Sequence, residues 1–195
     1  MKLIETYGYK KTIPEEIYFP TLKTLSYYQD LKNTPIIFRF RKPNNKTIMS
    51  AQPVVKTMFG VLVERAYYVN ISRHIKLGSN SLLIEELPED VLIGWLGHEL
   101  GHVMDYHNRS VAGMIWFGLN YWLSDHFIKG AERKADEYAV KHGLGDHIMQ
   151  TKNYILSHAE IPQKYKEKMK KLYLSPEEIM QMVETNQHKN IRPAI

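Results

Sequence analysis

Three glycines, at positions 94, 97 and 101, fall inside a stretch that otherwise reads as one helix, Val91–Asp105. That combination constrains the fold more than any other feature of the chain. Pro88-Glu89-Asp90 supplies the start signal, with proline and acids where the free N–H groups and positive end of the helix favour them. On a helical wheel, Leu92, Leu96, Leu100 and Val103 take one face and the three glycines a second, while Val91, Trp95, His98 and His102 take a third. Three interior glycines cost about 2–3 kcal/mol relative to alanine, and close backbone packing is the simplest offset. The helix is therefore expected to be buried nearly all round.

The rest of the chain supplies material to bury it. At 195 residues the expectation is a single unit spanning 1–195, large enough for a real core. Pro14-Glu15-Glu16 reads as a helix start leading into Ile17–Leu31. Thr34–Arg41, parts of Val61–Ile75 and Ser81–Ile84 read as strands, with a turn at Pro43-Asn44-Asn45. From Pro88 onward the pattern is helical, with Pro162 and Pro176 opening later helices. A sheet-containing part (about 1–86) followed by a helical part (about 87–195) predicts an α+β fold rather than a doubly wound sheet.

Several classes are disfavoured. There is no cysteine, so no disulfide framework and no thiolate ligand, which leaves His, Asp and Glu for any metal. The net charge of +5 is spread along the chain, and its densest run, Lys164–Lys171, reads as a solvated helix face; no nucleic-acid signature accompanies it. The N-terminal MKLIETYGYKK lacks the apolar stretch of a signal peptide, and no segment reaches the ~20 apolar residues that cross a bilayer. A soluble, cytoplasmic protein is the expectation. Val111–Leu123 is uncharged but only about 20 Å long as a helix at ~1.5 Å per residue. It reads as core or a cleft wall, with peripheral contact at a membrane surface as the alternative.

The buried helix carries His98-Glu99-Leu100-Gly101-His102. Histidines at i and i+4 lie about 40° apart around a helix and one turn apart along it, so both imidazoles can reach one ion. Glu99, beside the first, stands where a general base must be to reach a water on that ion. For a chain of this composition roughly 0.03 chance occurrences of the pattern are expected, so coincidence is a poor account. A catalytic zinc needs a third protein ligand and an open position. The spacing that places a histidine six residues after the second is not met: that position is Asn108, Asp105 stands where glycine would be required, and His107 is out of register. The better candidate is Glu132, which shares a helix face with Ala135, Asp136 and Ala139, whereas Arg133, Lys134, Glu137 and Lys141 take the opposite face. Carboxylates among small residues need partners. That suits Glu132 as a ligand and Asp136 as the acceptor that orients a ligand histidine.

HELGH followed by ERKADEYA, over roughly Leu87–Gly145, resembles the HExxH plus ExxxD pattern of the gluzincin metallopeptidases, in particular the HtpX and CAAX prenyl protease group and its short soluble relatives. The resemblance implies a small zincin-type α+β catalytic domain and a Zn2+ cofactor held by His98, His102 and Glu132. It further implies Glu99 as the base, Asp136 behind the ligands, and a peptide or protein substrate. The membrane-bound members carry full transmembrane segments, of which only Val111–Leu123 has a counterpart here. Those relatives also have a Ser-His-Pro stretch whose histidine stabilises the oxyanion. Its counterpart is either Ser157-His158, with Pro162 four residues on, or Leu174-Ser175-Pro176, where the histidine is replaced; His158 is preferred, with Tyr154 and Tyr165 as alternatives, since a phenol can donate the same hydrogen bond. An extended peptide is expected along a strand edge, with Ala66–His74 as the candidate. The rival expectation is a catalytically silent or latent zinc-binding module with a peptidase fold, acting in protein or membrane-surface interactions. Retention of Glu99 weighs against it.

Overall fold

Runs rich in β-branched and aromatic residues early in the chain pair into a small sheet, onto which the long helix is laid. The computed structural model describes residues 2–42, 47–59, 64–77 and 80–191. In chain order these form α1 (Lys2–Glu5), β1 (Lys11–Thr12), α2 (Tyr18–Tyr27), β2 (Ile36–Arg41), β3 (Met49–Pro53), α3 (Val55–Met58), β4 (Tyr67–Ser72), β5 (His74–Leu77) and β6 (Asn80–Leu83). Six further helices follow: α4 (Glu89–His107), α5 (Val111–Leu123), α6 (Asp125–Lys141), α7 (Gly145–Ser157), α8 (Gln163–Leu172) and α9 (Pro176–Ile191). The mixed α+β class expected from the sequence is what the chain adopts.

The main sheet has the order β1-β2-β4-β3. β2 runs parallel to β1 and β4, with Ile36 opposite Tyr67 and Arg41 opposite Ser72, whereas β3 returns antiparallel to β4 with Ala51 opposite Val69. β5 and β6 form a separate antiparallel pair. The expectation that Ala66–His74 is a strand edge is overturned: its central part is β4, which lies between β2 and β3. Burial explains why, since Tyr67, Val69 and Ile71 are each fully buried, as an interior strand requires. Among the described residues the edges are β1 and β3, and the sequence of β3, MSAQP, shows little alternation and ends in a proline that an edge tolerates. The helix expected over Ile17–Leu31 is also interrupted. A 3-10 turn (Glu15–Ile17) leads into α2, the chain leaves helical geometry at Tyr28, and a second 3-10 turn (Gln29–Leu31) follows. The expected turn at Pro43-Asn44-Asn45 and the first residues of the Val61–Ile75 stretch lie outside the described residues.

Every residue of α4 from Val91 to Tyr106 is buried, as the wheel required. α4 packs against α2 and β3 on one side and against α6 and α7 on the other. The glycines are where the last two approach. A methyl group at Gly94 would lie inside the His147 backbone carbonyl of α7, and one at Gly101 inside the Ala135 carbonyl of α6, both closer than 3.0 Å. Backbone contact at these points sets how deeply the two helices seat, and with them every side chain they carry toward His98 and His102.

α6 also follows its pattern. Ala131, Glu132, Ala135, Asp136 and Ala139 are buried, while Arg133, Lys134 and Glu137 are half-buried and Lys141 is exposed. α5 divides between its two readings: Met114 and Phe117 are buried, but Ile115, Trp116, Leu119 and Leu123 are exposed. No described helix is long and apolar enough to cross a membrane.

Gly101→Ala is expected to lower unfolding stability by about 2–3 kcal/mol, because the obstructing atom is backbone and cannot rotate away. Gly118→Ala in α5, where nothing lies within 4 Å of the added methyl, should be neutral or stabilise by up to about 1 kcal/mol. Urea unfolding of the two variants beside wild type measures both.

Candidate metal centre

Two helices crossing at backbone contact bring carboxyl and imidazole groups into one buried cluster. His98, Glu99 and His102 come from α4, and Glu132 and Asp136 from α6; each is at most 6% exposed. His98, His102 and Glu132 offer ligand atoms that all lie within 4.8 Å of one another. The Glu132 Oε2 atom is 3.1 Å from His98 Nε2 and 3.3 Å from His102 Nε2. Donors bonded at ~2.0–2.1 Å to a tetrahedral ion stand roughly 3.3 Å apart, so these separations match one shared ion. The imidazole rings meet nearly edge to face, with centroids 4.8 Å apart, and His102 is backed by the stacked ring of Tyr106.

Hydrogen bonds behind the ligands hold their aim. Asp136 Oδ1 accepts from His98 Nδ1 at 2.8 Å, so that in the neutral ring the proton sits on Nδ1 and Nε2 is the nitrogen that faces Glu132 and His102. Asp136 Oδ2 accepts from Lys152 Nζ of α7 at 2.9 Å and from the Leu174 backbone N–H at 3.1 Å. Lys152 is only 3% exposed, and it lies 4.8 Å over the Tyr173 ring. The phenol of Tyr121, on α5, donates to Glu132 Oε1 at 3.2 Å. The outer oxygens of both acids are thus committed, the Tyr173 phenol also bonds to the Glu132 carboxyl, and Glu132 Oε2 faces the imidazoles.

The electrostatics favour a cation at the centre. Burial alone would raise the Glu132 carboxyl, but the charges and hydrogen bonds of His102 and His98 hold it well below the usual carboxylate range. Burial works against a charged His98, yet Asp136 and Glu132 outweigh it and push that imidazole up to about 10. A field that favours positive charge between two carboxylates favours a divalent ion in the same place. Glu99 behaves differently: burial is its largest influence and raises its carboxyl above the ordinary value, although the neighbouring histidines pull the other way. Its Oε2 has no hydrogen-bond partner among the described residues. The backbone N–H of Ala51, on the edge strand β3, faces the same carboxyl.

A small cleft opens beside this cluster, between the Thr47–Met49 segment, α4, α7 and α8, and both His98 and Glu99 line it. The candidates for oxyanion contact part company here. Tyr165 lines the cleft, whereas His158 and Tyr154 do not. His158 sits at the C-terminal cap of α7 with its ring 5.2 Å from that of Tyr154. Thr151 and Lys152 do face the cleft, but His158 lies seven residues beyond Thr151, about 10 Å further along the axis at ~1.5 Å per residue, where the chain leaves α7 in extended geometry. Tyr173, also in the cleft wall with its ring 5.2 Å from that of His98, is not singled out by the sequence, and neither are Tyr121 and Lys152. Only the expectation that a buried acid pair needs further partners points toward such residues.

Comparison of the chain with protein-family models, with curated proteins and with solved structures gives no match in any of the three. The geometry therefore stands on its own.

Asp136→Asn is expected to weaken divalent-metal affinity by about 10–100-fold, since it keeps the shape but loses the charge that orients His98. Competition with a chromogenic chelator reads the affinity directly, and the far-ultraviolet circular dichroism spectrum should be retained.

Proposed function

We propose that this chain is a zinc-dependent peptidase, most simply an endopeptidase, with Glu99 as its general base. One observation carries the reading: a buried carboxyl with a free oxygen lies next to a three-residue ligand cluster and beside an edge strand. A purely structural zinc site has four protein ligands and no base, while this set has three ligands and a base.

His98, His102 and Glu132 would hold the ion. Zinc in such a site supplies Lewis acidity, which acidifies water and polarises a carbonyl. The residues divide the remaining work. Glu99, with its carboxyl raised by burial, takes a proton from the attacking water and returns it to the leaving amine, a role for which a base nearer neutrality is better matched. Burial pushes the phenols of Tyr165 and Tyr173 up, so both stay protonated as donors to negative charge developing on the substrate oxygen. Asp136 and Lys152 keep the His98 ring in place. β3 offers an unpaired backbone edge alongside α4, suited to an extended peptide added as a further strand. This replaces β4 in that role.

Glu99→Gln should retain one zinc per chain by metal analysis, while chelator-sensitive cleavage of unfolded casein falls by at least about 10²-fold. Zinc in both proteins with cleavage in neither would favour the silent-module reading, and absence of zinc from both under metal-replete conditions would overturn the proposal.

A further inference from the structure

The lysine run in α8 does not all face solvent. Tyr165, Lys168, Met169 and Leu172 recur at i, i+3, i+4 and i+7, so Lys168 occupies a position in the stripe that α8 turns toward the protein. Lys164 and Lys170 are exposed, and Lys171 pairs with Asp125 on the surface. Lys168 is half-buried, lines the cleft beside His98 and Glu99, and makes no hydrogen bond or ion pair with any other described residue. The other charged side chains of the lining are accounted for. Lys152 is bonded to Asp136, Asp136 also accepts from His98, and Glu99 belongs to the centre. The remaining walls mix apolar side chains, Met49, Trp95, Ile148 and Met169, with the hydroxyl-bearing Thr151, Tyr165 and Tyr173.

A half-buried ammonium with no partner among the described residues, in a cleft next to the candidate metal centre, selects a ligand that brings a carboxylate. We infer that the cleft is a substrate subsite for a carboxylate, with Lys168 as its specificity-determining residue, and that the preferred substrates are acidic peptides. The carboxylate comes either from an Asp or Glu side chain or from a peptide C-terminus. The inference rests on the peptidase reading only in taking a peptide as the occupant.

The test uses dye-labelled hexapeptides with blocked ends that differ at one position, Glu, Gln or Lys, together with the Gln peptide carrying a free C-terminal carboxylate. Binding is read by fluorescence anisotropy on zinc-loaded Glu99→Gln protein and on zinc-free wild type, so that it does not depend on turnover. A carboxylate peptide should bind about tenfold more tightly than the blocked Gln peptide, and the Lys peptide more weakly than either. The margin should narrow as ionic strength rises. Lys168→Gln should remove the preference and Lys168→Glu reverse it toward the Lys peptide, while Lys170→Gln, on the exposed side of the same helix, should preserve it. Preference for the Glu peptide assigns the subsite to a side chain; preference for the free-terminus peptide alone assigns it to a chain end. Equal binding of all four peptides, no binding of any carboxylate peptide, or a preference that survives Lys168→Gln overturns the inference. Casein cleavage by wild type is followed in parallel. Charge discrimination without cleavage would remove the peptidase reading and leave the subsite, and cleavage without discrimination would do the reverse.

Discussion

One carboxylate ties the helical half of the molecule together. Asp136, on α6 and 1% exposed, accepts hydrogen bonds from a histidine of α4, a lysine of α7 and the backbone that precedes α9. An ionised group taken so far from water is tolerated only when it is fully bonded, so each of these elements is held to the position in which its donor reaches Asp136. The bond to His98 links that requirement to the metal cluster. Packing and site geometry are here a single constraint, because the acid that pins three elements also fixes the ring nitrogen turned toward the candidate metal site.

The same economy shapes the ligand pair. Spacing of four along α4 sets the two imidazoles on one face, but the third ligand belongs to a different helix, and its distance is set by how closely α6 can approach. Gly101 against Ala135 makes that approach one of backbone on backbone. The glycines and histidines interleaved in one helix are thus parts of one arrangement.

Much of this is legible in the sequence, for identifiable reasons. The burial of α4 and the inward face of α6 follow from a period of 3.6 residues, which local composition reveals directly. Glu132 and Asp136 are visible because acids among alanines on an otherwise charged helix are anomalous. What the sequence does not disclose depends on contacts between distant segments. β3 is short and weakly patterned, and its place at the sheet edge is decided by pairing with β4. Lys152 looks like any surface lysine until Asp136 is set against it. Tyr121 and Tyr173 are two among thirteen tyrosines, and only the folded chain separates them from the others, while Tyr165, one of three candidates in the sequence, is selected by its place in the cleft. His158 stands out through its neighbours in the sequence, yet the end of α7 directs it elsewhere. The run from Lys164 to Lys171 reads as uniform charge, and its helical phase makes one member different from the rest.

The glycine contacts have a consequence for how such a chain can drift over evolutionary time. Substituting His102 would remove a candidate ligand yet leave the helices seated as before, because it has no bond to Asp136 and backbone contact limits their separation. Filling a glycine would unseat them whatever the site holds. In descendants released from any need for a metal, His102 would be the first of the motif to vary, and the small residues at 94 and 101 would persist as its fossil.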